Sequence, residues 1–211
     1  MIYQIKPVIG SRARSELIKY IKGDNWITEY KKTEEFEKKF AKFTNSKYCI
    51  AFPNGTLTMS SVLDCLNLKK NSEVLVSNYT MVATANVAKL ANLKTVLVDI
   101  SSNDLCMCPK DLKKKINKKS KVVIYTEMNG RVGQLEEIRK ICKKKKLILI
   151  EDSAHAIGTY CKKRHVGNHG LAGSFSFSMP KLITMGQGGA IITNNQALEK
   201  KLRMYKNFGR K

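Results

Sequence analysis

The chain has 211 residues, 43% of them hydrophobic, and 39 Lys+Arg against 17 Asp+Glu give a net charge of +22. That length allows one large domain or two small ones, and the apolar content is enough to bury a core. No run approaches the roughly 18–20 apolar residues of a membrane span, and the opening MIYQIKPVIG lacks an apolar signal core, so a cytoplasmic protein with no membrane partner is expected.

The elements follow in chain order. Ser11–Gly23 reads as a helix with Ser11 as its cap and a glycine at its end. Thr33–Thr44 reads as a second helix, with Phe36, Phe40 and Phe43 at i, i+4 and i+7 forming one buried face. Strands are expected at Lys47–Phe52, Glu73–Val76, Thr95–Ile100, Lys121–Thr126 and Leu147–Asp152. Helices alternate with them: from NGT to about Leu68, then Thr80–Ala91, Pro109–Ile116 and Gln134–Lys144. The apolar runs are short, β-branched and continuous, as in strands covered on both faces. Strict alternation argues for a mostly parallel α/β sheet. After Asp152 the pattern changes to short strands at Gly158–Lys162, Ser174–Ser178 and Gly189–Thr193, closed by a helix at Gln196–Tyr205. There is no internal repeat and no linker, so one compact domain is expected.

The basic excess admits an anionic partner. Lysine far outnumbers arginine, however, and Ile and Asn are plentiful, as AT-rich coding bias would produce. The densest runs, Lys113–Lys121 and Cys142–Leu147, adjoin helical segments without interleaved aromatics. They read as solvated faces, and no recognition motif supports a nucleic-acid partner. Six cysteines, at 49, 65, 106, 108, 142 and 161, match no zinc spacing, so reduced thiols and no metal site are expected.

Three stretches carry chemistry, each at the end of an expected strand, where α/β sheets gather ligands. Pro53–Thr56 (PNGT) opens a helix. Its glycine permits close backbone approach, and the helix start favours an anion such as phosphate. Glu151–His155 (EDSAH) follows LILI, and its acids suit a cap, a cation or a protonated heteroaromatic nitrogen. Ser174–Asn195 (SFSFSMPKLITMGQGGAIITNN) alternates Ser and Phe up to Lys181. On a strand Ser174, Ser176 and Ser178 share one face, so Ser176 can meet an anion while Phe175 and Phe177 pack inward. Lys181 lacks the lysine neighbours common elsewhere, and a desolvated lysine is a nucleophile toward aldehydes. Taken singly these are a turn, a cap and a surface lysine. Together they form a phosphate cradle, an acid for a ring nitrogen and a lysine, the set that pyridoxal 5'-phosphate (PLP) requires.

The sequence resembles the sugar aminotransferases of the DegT/DnrJ/EryC1/StrS family. The matching segments include DNWIT (24–28), EFEKKFAKF (35–43), NGT (54–56), NYTMVATANVAKLA (78–91), VLVDI (96–100), MNGRVG (128–133), IEDSAHAIG (150–158), GSFSFSMPKLITMGQGGAIITNN (173–195) and KNFGRK (206–211). They span nearly the whole chain in family order. The resemblance implies the large domain of a fold type I PLP-dependent transferase, an α/β fold with a mostly parallel mixed sheet flanked by helices. It implies Lys181 as the Schiff-base lysine and Asp152 as the acid on the pyridine nitrogen. His155 falls beside the ring and its phenolic oxygen. Ser176, Gly55 and Thr56 fall on phosphate contacts, and Met81 where many members stack an aromatic ring. TMVATANVAKLA and MNGR look most like perosamine- and viosamine-type synthases. The implied reaction moves an amino group from glutamate to a nucleotide-linked 4-keto-6-deoxyhexose in a homodimer. Relatives continue past KNFGRK into a smaller C-terminal domain, so the family's small domain is expected to be absent from residues 1–211. A non-catalytic or split PLP-fold domain needing a second chain is the alternative. A related dehydratase branch carries histidine in place of the lysine, which Lys181 argues against.

Overall fold

A computed structural model describes residues 8–23, 26 and 28–210. Asp24, Asn25 and Ile27 of the DNWIT segment, and Lys211 of KNFGRK, lie outside the described residues. Among the described residues nine strands form: β1 (Tyr48–Phe52), β2 (Glu73–Ser77), β3 (Lys94–Val98), β4 (Ser120–Thr126), β5 (Ile148–Asp152), β6 (Tyr160–Cys161), β7 (Arg164–His165), β8 (Ala172–Ser176) and β9 (Gly189–Thr193). Seven helices accompany them: α1 (Ser11–Lys22), α2 (Lys31–Thr44), α3 (Gly55–Cys65), α4 (Val82–Leu90), α5 (Pro109–Lys115), α6 (Leu135–Lys145) and α7 (Gln196–Lys206).

The main sheet has the order β1-β9-β8-β5-β4-β2-β3. Strands β3, β2, β4, β5 and β8 are mutually parallel, and β9 pairs antiparallel with both β8 and β1. Only β9 is therefore reversed, and the carboxyl ends of the other six strands share one edge. This is the expected mostly parallel α/β sheet.

Period-2 alternation sorts each central strand into two cores. Val74, Val76, Val122, Ile124 and Ile150 face Met59, Leu63, Val87 and Leu202 of α3, α4 and α7. Leu75, Val123, Tyr125 and Leu149 face Leu112 of α5 and Leu135, Ile138 and Ile141 of α6. Burial on both faces explains the unbroken apolar runs. A third cluster joins Phe40 of α2 to Phe175 and Phe177. Phe40 meets both rings edge-on, with centroids 5.1 and 5.3 Å away.

Several expectations are corrected. Phe43 does not share that buried face: it is 50% exposed. Glu37 is buried instead, donating nothing and accepting from the Ala51 N–H and from Arg203. An ion-paired carboxylate at that position satisfies the end of β1, which a phenyl ring could not do. Ser11 is the first helical residue rather than the cap, and Gly10 precedes it without a side-chain cap bond. The helix after NGT stops at Cys65, because Asn67 takes a left-handed conformation (φ 48°). Helix α4 starts at Val82, since Met81 is extended and accepts from the Ala83 N–H through its sulfur. The expected strand at Gly158–Lys162 shrinks to Tyr160–Cys161, which turns at Lys162 (φ 55°) and pairs with Arg164–His165. Ser178 falls beyond β8, which ends at Ser176.

Candidate functional site

The carboxyl edge of the sheet assembles the site. After β1, Asn54 caps α3: its side chain accepts from the Leu57 N–H at 2.9 Å and its carbonyl from Thr58 at 3.3 Å. The N–H groups of Gly55 and Thr56 then have no intrahelical acceptor, at the positive end of an 11-residue helix. Gly55 is required by proximity. A Cβ there would lie 2.9 Å from the Ser176 Cβ, so a side chain would push β8 away from the helix start. Gly189 serves the same approach, since its Cβ would meet the Asn54 carbonyl at 2.5 Å. The Ser176 hydroxyl lies 3.2 Å from that of Ser178. The two serines still act together even though Ser178 has left the strand.

Asp152 ends β5 and is buried, 3% exposed. Its Oδ2 accepts from the Thr84 hydroxyl at 2.7 Å, and Oδ1 from the Ala154 N–H at 3.3 Å. Thr84 stands on α4, so the acid is held from across the sheet face. Thr80 extends the contact, bonding Thr84 at 3.2 Å and Thr126 of β4 at 3.1 Å. Glu151 points to the opposite face. It accepts from the N–H groups of Gly167, His169 and Gly170 at 2.6–2.8 Å. The acid pair of EDSAH therefore splits into one carboxylate in the site and one that organises the loop before β8.

A cavity of about 360 Å³ is lined by Gly55, Thr56, Met81, Asp152, His155, Ser176 and Lys181. All seven residues expected from sequence are thus brought together. Met81 is exposed at the mouth. Lys181 is half-buried, and burial lowers its pKa below the ordinary lysine value, opposed by the charge of Asp152. His155 stands at the exposed rim, yet atoms crowding its ring lower its pKa, and the charge of Lys181 lowers it further; Asp152 raises it. The three groups therefore lie in one another's fields, and burial makes the lysine give up its proton more readily than a solvated one.

Sequence reasoning missed Thr80, Thr84, Thr126 and Gln187, which also line the cavity. NYTMVAT contains two of them, but no local pattern says which residues of α4 face Asp152. That depends on strand order. The donor set offers N–H and hydroxyl groups for an anion, a carboxylate for a protonated nitrogen, and an amine for an aldehyde carbon. Those are the features a PLP site needs, and the glycine-backed helix start against Ser176 offers an anion a shaped place.

The six cysteines are free thiols. Among the described residues no helix is long and apolar enough to cross a membrane.

Comparisons with known proteins bear on the fold and the family. An uncharacterised protein of Methanocaldococcus jannaschii is 34% identical over 204 residues, which cover 97% of this chain and 53% of that protein. The structure of Helicobacter pylori PseC, an aminotransferase involved in the biosynthesis of pseudoaminic acid, superposes with a TM-score of 0.92 at 25% identity. It covers 97% of this chain and 55% of PseC. The PLP form of a Streptococcus pneumoniae protein named as a sugar aminotransferase superposes with a TM-score of 0.90 at 26% identity, covering 98% of this chain and 56% of that one. The chain spans about half the length of the relatives it matches. The model of the DegT/DnrJ/EryC1/StrS aminotransferase family matches residues 8–211, and the chain belongs to that family.

Proposed function

We propose that this chain is the cofactor-binding large domain of a PLP-dependent sugar aminotransferase. The reaction moves an amino group from glutamate to a nucleotide-linked 4-keto-6-deoxyhexose, giving a perosamine- or viosamine-type product. The observation that carries this reading is the single cavity shared by Lys181, Asp152 and His155 with the start of α3 and Ser176.

Bound PLP supplies an aldehyde carbon conjugated to an electron-accepting ring. Lys181 Nζ would be the amine that holds the cofactor, and as a half-buried amine in the cavity it would serve as the proton carrier. Positioned proton transfer of this kind contributes about 10²–10⁴ in rate. Asp152 would hold a proton on the ring nitrogen, its carboxylate oriented by the Thr84 hydroxyl at 2.7 Å. Gly55, Thr56 and Ser176 hold the phosphate. Met81 and His155, which line the same cavity, would contact the cofactor ring. A homodimer in a reducing cytoplasm is the expected setting. Recognition of the sugar nucleotide draws on parts of the relatives' length that this chain does not span.

A second reading is a domain that binds PLP but needs another polypeptide for turnover, since the cavity holds cofactor contacts alone. The chain is equilibrated with PLP and its near-visible absorbance recorded, with Lys181→Ala in parallel. A band present in wild type and absent from the variant is expected. No band in wild type overturns both readings. The loaded protein is then offered glutamate with GDP-, UDP- and dTDP-linked 4-keto sugars. Amino sugar formed supports the aminotransferase; bound PLP without product from any of the three selects the incomplete domain.

A further inference from the structure

On the opposite face of the sheet from the cofactor cavity, the loop organised by Glu151 brings together three unlike donors. Glu136 comes from the first turn of α6, Cys161 from β6, and His169 from the turn before β8. One ligand atom from each, a carboxylate oxygen, a thiol sulfur and an imidazole nitrogen, lies within 4.8 Å of the other two. Metal–ligand lengths of about 2.0–2.3 Å put tetrahedral donors about 3.3–3.7 Å apart, so the set needs closure of about 1 Å.

The imidazole is prepared for this. The His169 side chain is 3% exposed, and its Nε2 lies 4.0 Å from Glu136 Oε1. Its Nδ1 is buried and faces the Glu151 Oε2 at 3.3 Å, but the geometry makes no hydrogen bond. A metal on Nε2 would fix the proton on Nδ1, where a small ring rotation gives it to Glu151. That is the carboxylate–histidine–metal relay by which outer carboxylates orient metal ligands. Glu151 is itself locked by three backbone N–H groups. Glu136 divides its oxygens. Arg139 and Lys162 approach Oε2 at 3.2 and 3.7 Å, which leaves Oε1 on the side of His169. A surface cleft of about 380 Å³ lined by these residues gives an ion a way in.

We infer that Glu136, Cys161 and His169 form a binding site for a thiophilic divalent cation of the zinc class. The mixed S/N/O set selects zinc over magnesium or calcium, which take oxygen donors. With a thiolate and a carboxylate as ligands the dication is neutralised, despite the cations around the cleft. Its role is a staple. It ties α6 to the β6–β7 hairpin and to the turn leading into β8, the strand that carries Ser176.

The test uses the full 211-residue chain without a histidine tag. After dialysis from zinc, about one retained equivalent is expected. Cobalt in its place, with a water molecule as fourth ligand, should show a thiolate-to-metal charge-transfer band and the visible bands of a four-coordinate ion. Cys161→Ala and Glu136→Gln should each weaken binding at least about 10-fold, and Cys161→Ala should abolish the thiolate band. Circular dichroism without metal checks that both variants fold, and the near-isosteric change at the partly exposed Glu136 keeps the second variant informative. Zinc lost on dialysis, a cobalt spectrum without the thiolate band, or undiminished affinity in Cys161→Ala overturns the inference.

Discussion

The hydrogen bond from Thr84 to Asp152 gives the sharpest prediction. Thr84 is fully buried and Asp152 is 3% exposed, with 2.7 Å between Oγ1 and Oδ2. Thr84→Val keeps the β-branched shape but leaves Oδ2 without this donor, while Oδ1 retains only its longer bond from the Ala154 N–H. Thr80 keeps Thr126 as a partner at 3.1 Å, so the lesion stays local. A hydrogen bond to a charged group contributes about 1.5–3 kcal/mol, and that is the expected loss in folding stability. With m-values of about 1–3 kcal/mol per molar urea, the urea midpoint of the cofactor-free chain should fall by roughly 1 M at unchanged m. Asp152→Ala completes a double-mutant cycle. A coupling of at least about 1 kcal/mol is expected, and one below about 0.5 kcal/mol refutes the claim that Thr84 holds the acid.

Three further outcomes are expected. Gly55→Ala puts a Cβ 2.9 Å from that of Ser176, inside the usual 3.5–4.0 Å approach. It should cost about 1–3 kcal/mol in urea unfolding and weaken PLP binding; undiminished PLP affinity refutes the phosphate cradle. Lys181 binds its proton less tightly in the folded chain than at its ordinary pKa of 10.5. Folding therefore carries a penalty that is full below the lowered pKa and fades as pH rises toward 10.5. Neutral amine also forms at lower pH, so acylation followed by mass spectrometry should show Lys181 reacting at lower pH than surface lysines. Asp152→Asn should move its midpoint lower still, because Asp152 opposes the shift; a midpoint equal to the bulk refutes the assignment. Phe40→Ala should cost about 3–5 kcal/mol in urea unfolding, while Phe43→Ala, at a half-exposed position, should cost much less; equal losses would restore the three-ring face.

What the sequence determined by itself was whatever short-range periodicity encodes. Continuous β-branched runs identify β2, β4 and β5, because a strand covered on both faces needs apolar residues at every position. The Ser–Phe alternation puts Phe175 and Phe177 on one face, where they pack on Phe40. The expected site residues were legible because each stands at or shortly past the carboxyl end of a strand, and parallel strands carry such positions to a common edge. Periodicity fails where a residue's partner is distant along the chain. Phe43 has the spacing of a core residue, yet what lies opposite α2 is decided by β1 and β9, and they leave it half in solvent. Thr84 lies 68 residues from Asp152. Only the order β5-β4-β2 lays α4 over the acid. Likewise Glu136, Cys161 and His169 lack any metal-binding spacing, and the loop folded around Glu151 is what brings them near one another. Local pattern sets which face a side chain takes; the strand order, fixed by cooperative burial of the whole sheet, decides what it meets there.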